Sequence, residues 1–367
     1  MSDPTPLLNL EVDTPALVLD LDALEANIQA MAAFARAREV GLRPHAKTHK
    51  CAAIGRLQLD AGAVGLCCAK LGEAEALADA GLHPLLVTSP IVGPRKLDRL
   101  ASLALRAPGL MVVVDDVAAS EALALAMAAR GPVLDVLVDL DPGMGRTGAA
   151  TTAAALAVAR TVAGAPNLRL RGVQCYAGMI QHEPGAAERA AAARAVQDEL
   201  AATLAAFREA ELVCEIVTGS GTGSFALDAM SGLFTDLQVG SYACMDDEYA
   251  ANAPLAADEP TFARSAFLLT QVVSANHAGL ATIDAGSKSL SFDGPLPSVQ
   301  APAGLTYERA GDEFGKVRGE GVPGVGERVL LGLPHCDPTI NLHDAFVGVR
   351  EGVVVERWPV TARGRAD

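Results

Sequence analysis

From residue 42 to about 242, short apolar or β-branched runs alternate with alanine-rich stretches of helical period, and this alternation restricts the fold more than any other feature. The runs are GLRPH (41–45), AVGLCCA (63–69), PLLVT (84–88), LMVVVD (110–115), LDVLVDL (134–140), LRGVQCY (170–176), CEIVT (214–218) and DLQVG (236–240). Amphipathic segments such as CAAIGRLQLDAG, GEAEALADAG, RKLDRLASLALR and the long stretch 186–211 lie between them. Strands and helices in this order imply a parallel sheet covered by helices. Eight such units fit a (β/α)8 TIM-type barrel, with a doubly wound open sheet as the alternative.

After residue 243 no long helical pattern survives. FLLTQVVSA, LATIDAG, RVLLGLP and FVGVREGVVVERWPV are short apolar runs separated by Gly and Pro, which predicts an antiparallel β domain. ALVLDLD (16–22) is surplus to the eight barrel strands and is assigned to that domain. The expected division is therefore a barrel over 23–250 and a β domain built from 1–22 and 251–367.

Composition narrows the function. With 44 acidic against 29 basic residues the net charge is −15, which argues against nucleic acid or an anionic membrane as partner. No apolar run is long enough to span a bilayer, and MSDPTPLLNLEVD lacks a signal peptide's basic-then-apolar layout. Seven irregularly spaced cysteines read as reduced thiols of a cytoplasmic protein.

In a parallel barrel, chemistry gathers at the C-terminal ends of the strands. There the sequence places RPHAKTHK (43–50), with three permanent cations and two imidazoles, then DLDPGMGRTG (139–148), QCYAGMIQH (174–182), TGSGTGS (218–224) and GSY (240–242). RPHAKTHK by itself reads equally as a solvated basic loop or as a His45-x3-His49 metal pair. In TGSGTGS, glycines 219, 221 and 223 permit close backbone approach to an anion, and the segment can open a helix with free N–H groups. GMGRTG formally matches a dinucleotide fingerprint, but the next strand, LRLRGVQCY, lacks the acidic residue that a nicotinamide site requires. Near the C-terminus, PHCDPTINLHD supplies His335-x-Asp337. On an extended segment these two share a face and could reach one ion, with Cys336 facing away. A nitrogen–oxygen pair suits Mn²⁺, Mg²⁺ or Zn²⁺.

Taken together, RPHAKTHK, GLCCAKLGEAEA, YAGMIQH, GSGTGS, GSYACMD and PHCDPTINLHD resemble the fold-type III, alanine-racemase-like family of pyridoxal phosphate (PLP) enzymes. More narrowly they resemble its D-threonine aldolase, 3-hydroxy-D-aspartate aldolase and D-serine dehydratase branch, nearest to the 3-hydroxyaspartate aldolases. The resemblance spans nearly the whole chain. It implies that Lys47 carries the cofactor and that Arg146 stands beside its phenolic oxygen. Gly221, Thr222, Gly223, Gly240, Ser241 and Tyr242 fall on the phosphate segments, and Tyr176 and His45 lie at the cofactor. It also implies His182 as acid/base, and His335 and Asp337 as ligands of a divalent metal, Mn²⁺ or Mg²⁺ ahead of Zn²⁺. Dehydratase members resemble a His-x-Cys pair instead, so aspartate at 337 sides with the aldolases.

The implied activity is cleavage of a D-β-hydroxy-α-amino acid into glycine and an aldehyde, glyoxylate from 3-hydroxyaspartate or acetaldehyde from threonine. A D-serine or D-threo-3-hydroxyaspartate dehydratase is the alternative, and a non-catalytic PLP carrier is the reading from another class. The resemblance further implies a cytoplasmic homodimer acting on a small amino acid. A lysine that attacks an aldehyde must be partly neutral, and the expectation is that the bases around Lys47 keep it so.

Overall fold

The computed structural model describes residues 4–255 and 259–367. Residues 1–3 and 256–258, which fall within the segments assigned to the β domain, lie outside the described residues. In chain order, β1 (Ala16–Asp20) precedes the eight expected barrel strands: β2 (Gly41–Leu42), β3 (Leu66–Cys68), β4 (Leu85–Val87), β5 (Met111–Val114), β6 (Leu134–Leu140), β7 (Leu168–Cys175), β8 (Ile216–Gly219) and β9 (Asp236–Leu237). All eight run parallel in the order β2-β9-β8-β7-β6-β5-β4-β3.

The two ends of this sheet meet. A parallel bridge joins His45 to Cys67, flanked by Val64 N–H donating to Leu42 O, Cys67 N–H to Pro44 O and Ala46 N–H to Cys67 O. The sheet is thus closed, and the open doubly wound alternative is set aside. Several ladders are shorter than the apolar runs that announced them. β2 covers only Gly41–Leu42, although Arg43 N–H and His45 N–H go on to donate to Leu237 O and Val239 O.

Cys67, Leu86, Met111, Val113 and Leu137 fill the barrel interior. Toward the C-terminal ends of the strands this apolar filling gives way to buried polar side chains, Asp139, Gln174, Thr218, Asp236 and Gln238. That polar layer is the floor of the site described below.

The second sheet is formed by β1 with β10 (Ala266–His277), β11 (Leu280–Ile283), β12 (Val299–Ala301), β13 (Thr306–Arg309), β14 (Gly315–Arg318), β15 (Arg328–Gly332), β16 (Ala345–Arg350) and β17 (Val353–Pro359). β1 lies between β10, antiparallel to it, and β16, parallel to it, so the N-terminal strand is internal to the sheet. Between β15 and β16 a short helix, Cys336–Ile340, carries the expected metal pair to the barrel mouth. Among the described residues no helix is long and apolar enough to cross a membrane.

Candidate active site

Lys47 follows β2 and faces a cavity of about 500 Å³ at the barrel mouth, lined also by His45, Lys70, Thr88, Asp115, Arg146, Gln174, Tyr176 and Gln238. Its Nζ is ion-paired with Asp337, so the end of the first barrel strand touches the segment that follows β15. Burial works to lower the lysine's pKa, but the Asp337 carboxylate, with Tyr176 behind it, outweighs burial and raises it to about 12. Burial likewise opposes ionisation of Asp337, and Lys47 outweighs it, holding that carboxyl well below the usual range.

This corrects the expectation that neighbouring bases keep Lys47 neutral. Arg43 is paired with Asp236, and Lys50 with Glu73. Burial pushes His45 down to about 3 and His49 to about 4, so neither imidazole is charged at neutral pH. The two histidines also part company. His45 faces the cavity, with Nε2 3.1 Å from Thr88 Oγ1. His49 is fully buried, bonded to Gln58 Oε1 through Nε2 and accepting the Cys51 N–H at Nδ1. They form no metal pair.

Arg146 lies over the Tyr176 ring, its Cζ 5.7 Å from the centroid, and both line the cavity. The glycine turn before Arg146 is not a phosphate cradle. The Asp141 carboxylate accepts the N–H groups of Gly143, Met144 and Gly145, filling the place that a pyrophosphate would take. Gly148 is required there, because its φ is +104° and a Cβ would lie 2.4 Å from the Asp141 backbone nitrogen.

The two expected phosphate segments sit side by side, joined by the Tyr242 N–H donating to Thr222 Oγ1 at 3.1 Å. Gly223 N–H is committed to Gln181 Oε1, and a Cβ there would meet Gln181 O at 2.1 Å. Gly223 is therefore small for packing and gives no N–H to an anion. Tyr242 is buried in the core, its hydroxyl accepting from Gln58 Nε2, and it too presents no side chain to the cavity. The backbone N–H groups of Gly221, Thr222, Gly240 and Ser241, all buried, have no protein acceptor among the described residues. Buried unpaired donors are costly unless a ligand takes them, and four at one rim fit a phosphate group.

His335 and Asp337 come together differently from the extended arrangement expected. His335 is the N-cap of the helix Cys336–Ile340, with extended φ and ψ of −143° and 123°, and Asp337 lies in its first turn. Asp337 and Pro338 both favour a first helical turn, which explains the change. His335 Nδ1 is 2.9 Å from Asp293 Oδ2, leaving Nε2 as its open nitrogen. Asp337 Oδ1 is buried without any hydrogen-bond partner. An orphaned carboxylate oxygen beside a histidine fits a cation, although among the described residues no group of three His, Cys, Asp or Glu surrounds a common point. Cys336 is buried in the core, its thiol against Cys244.

His182 completes the group, its ring centroid 6.3 Å from that of His335 and 4.5 Å from that of Tyr249. Its Nδ1 lies 3.4 Å from Glu248 Oε1, and burial holds its pKa below the ordinary histidine value.

Residues 19–247 match the family model for the alanine racemase N-terminal domain, and residues 265–349 match that for a putative serine dehydratase domain. The chain belongs to the alanine racemase-like family. Within it, the chain is 42% identical to a D-threonine aldolase of Arthrobacter sp. over 96% of its own length and 93% of the relative's. It is 40% identical to a 3-hydroxy-D-aspartate aldolase of Paracoccus denitrificans (97% and 93%), and 31% identical to a D-threo-3-hydroxyaspartate dehydratase of Delftia sp. (97% and 90%). The crystal structure of a D-threonine aldolase from Filomicrobium marinum superposes with a TM-score of 0.94 at 46% identity, covering 97% of this chain and 96% of that one.

Sequence reasoning missed Asp293 and Glu248, which support His335 and His182, and the cavity residues Thr88, Asp115, Gln174 and Gln238. For the glutamines a signal existed, since GVQCY and DLQVG each set one amide inside a buried strand run. Nothing local to Asp293 or Glu248 marks either.

Proposed function

We propose that this alanine racemase-like chain is a PLP- and divalent-metal-dependent aldolase, a carbon–carbon lyase, that cleaves D-β-hydroxy-α-amino acids into glycine and an aldehyde. 3-Hydroxy-D-aspartate, giving glyoxylate, and D-threonine, giving acetaldehyde, are its substrates. The barrel over 23–250 houses the cofactor, and the β domain built from 1–22 and 251–367 brings the metal pair. The observation that carries this reading is the ion pair of Lys47, which lines the cavity, with Asp337, whose helix also sets His335 beside His182.

Lys47 would hold PLP through Nζ. Arg146, Tyr176 and His45 would stand at the ring, and the N–H groups of Gly221, Thr222, Gly240 and Ser241 would take the phosphate. Gly223 and Tyr242 serve that site by packing. His335 and Asp337 would hold the metal, and their nitrogen–oxygen character favours Mn²⁺ or Mg²⁺ over Zn²⁺. When bound, PLP draws electrons from the substrate Cα and the metal acidifies the β-hydroxyl.

The chain's own part is proton traffic and positioning. His182, neutral at pH 7 and turned by Glu248 at Nδ1, offers the lone pair of Nε2 to the β-hydroxyl proton. Removal of that proton lets the Cα–Cβ bond break and the aldehyde leave, and a proton added at Cα yields glycine. Asp337 would be shared between the metal and Lys47, and less of its charge would then be left to keep Lys47 protonated, so site assembly and lysine reactivity would be linked. We place the enzyme in the cytoplasm as a homodimer.

A dehydratase is the second reading, favoured by the match of residues 265–349 and by the Delftia relative. Asp337 in place of a thiolate counts against it. The test is aldehyde release from D-threonine before and after EDTA. Turnover should stop with PLP absorbance retained and return with Mn²⁺. Turnover that survives complete metal removal would discard the metal-assisted reading.

A further inference from the structure

A chain of buried side chains runs across the polar floor of the barrel and ends at the cavity. Gln174 Nε2 donates to Asp139 Oδ1 at 2.8 Å and to Thr88 O at 3.0 Å. Both partners only accept, so the orientation of this amide is fixed, and its Oε1 must receive a donor. Gln238 Nε2 provides one at 3.1 Å and gives its second hydrogen to Thr218 Oγ1, also at 3.1 Å. The Thr218 hydroxyl hydrogen is itself committed to Asp236 Oδ1 at 2.5 Å, so Thr218 can only accept from Gln238. Turning the Gln238 amide over would set its carbonyl against two acceptors in a buried site. Both N–H groups of Gln238 are thereby consumed. Its Oε1 has no protein partner among the described residues, and Gln238 lines the cavity together with Lys47.

Resting on the PLP reading above, we propose that the Gln238 amide oxygen accepts a hydrogen bond from the ring nitrogen of PLP and so holds that ring as the pyridinium. The ring nitrogen is para to the carbon that bears the Lys47-linked group. A ring held from Lys47 would have its nitrogen on the side away from Nζ, and Gln238 lines the same cavity. Among the described residues that line the cavity the one carboxylate is Asp115, and it is engaged by Gly148 N–H at 2.9 Å. A deprotonated ring nitrogen at Gln238 would set two lone pairs against each other, an arrangement that a proton removes. The protein group at this nitrogen tunes the cofactor's electron demand. Here the tuning comes from a neutral amide whose direction is set by Gln174 and Asp139. Gln174 is a positioning residue in this arrangement.

The experiment is ¹⁵N NMR of holoenzyme reconstituted with ring-¹⁵N PLP, without substrate. Wild type should show a pyridinium shift. Gln238→Leu should move the signal to that of unprotonated pyridine, Gln238→Glu should keep the pyridinium, and Gln174→Leu should shift in the same direction as Gln238→Leu. An unprotonated signal in wild type overturns the proposal without recourse to any variant, as does a pyridinium signal that persists in Gln238→Leu. Failure of wild type to take up PLP, seen as absent visible-edge absorbance, would instead sink the cofactor reading itself.

Discussion

Asp293 offers a quantitative test of the metal site, because its proposed role is confined to one hydrogen bond. Its Oδ2 receives His335 Nδ1 at 2.9 Å. Partial burial works against the ionised carboxyl, but bonds from Ser291 and His335 hold its pKa below the ordinary value. A carboxylate there fixes the histidine tautomer with Nε2 open and raises the basicity of that nitrogen. Loss of such partners costs roughly 10–100-fold in metal affinity. The Asp293 side chain is 51% exposed, so water would replace part of its effect and the low end applies. For Asp293→Ala the expected loss is about tenfold, or ~1.4 kcal/mol. Asp293→Asn keeps an acceptor without the charge and should fall between wild type and Ala. Isothermal titration of Mn²⁺ into the PLP-loaded, metal-free enzyme measures this, with cofactor absorbance as the control. Equal Mn²⁺ affinity in wild type and Asp293→Ala would refute His335 as a ligand oriented in this way.

Three further outcomes follow from the same geometry. Lys47→Ala should lose the visible-edge absorbance of bound PLP, and an unchanged spectrum would remove Lys47 from its role. Gly223→Ala forces a Cβ onto the Gln181 carbonyl and should displace the phosphate segment, weakening PLP by roughly 10–100-fold in equilibrium dialysis, the equivalent of one charge-assisted hydrogen bond. His49 is held neutral by burial at a pKa of about 4, below its unfolded value of 6.5. Its contribution is therefore fully present above pH 6.5 and is lost as pH falls toward 4, by up to about 3 kcal/mol. His49→Gln should flatten that part of the denaturation profile, and a slope unaltered by the substitution would contradict the assignment.

The barrel was legible because parallel strands, buried on both faces, leave continuous apolar runs such as LMVVVD and LDVLVDL. Closure was expected from the count of eight units alone; the bonds that make it, to the carbonyls of Leu42, Pro44 and Cys67, are announced by no side chain. RPHAKTHK was misread electrostatically. Its charge can be counted in the sequence, but its partners Glu73, Asp236 and Asp337 arrive from separate elements, and burial discharges both imidazoles. His335 and Asp337 were identified by residue type, and their backbone was misjudged although Asp-Pro carried the signal for a helix start. Asp293 comes from a loop and Glu248 from the one-turn helix Asp247–Ala250, and only the fold brings them to their histidines.

Product analysis separates carbon–carbon cleavage from dehydration. The PLP- and Mn²⁺-loaded enzyme is incubated in turn with 3-hydroxy-D-aspartate, D-threonine and D-serine, and amino acid, aldehyde, keto acid and ammonia are quantified. Glycine with equimolar glyoxylate or acetaldehyde is expected from the first two substrates. A keto acid with equimolar ammonia would contradict that expectation and make the chain a dehydratase.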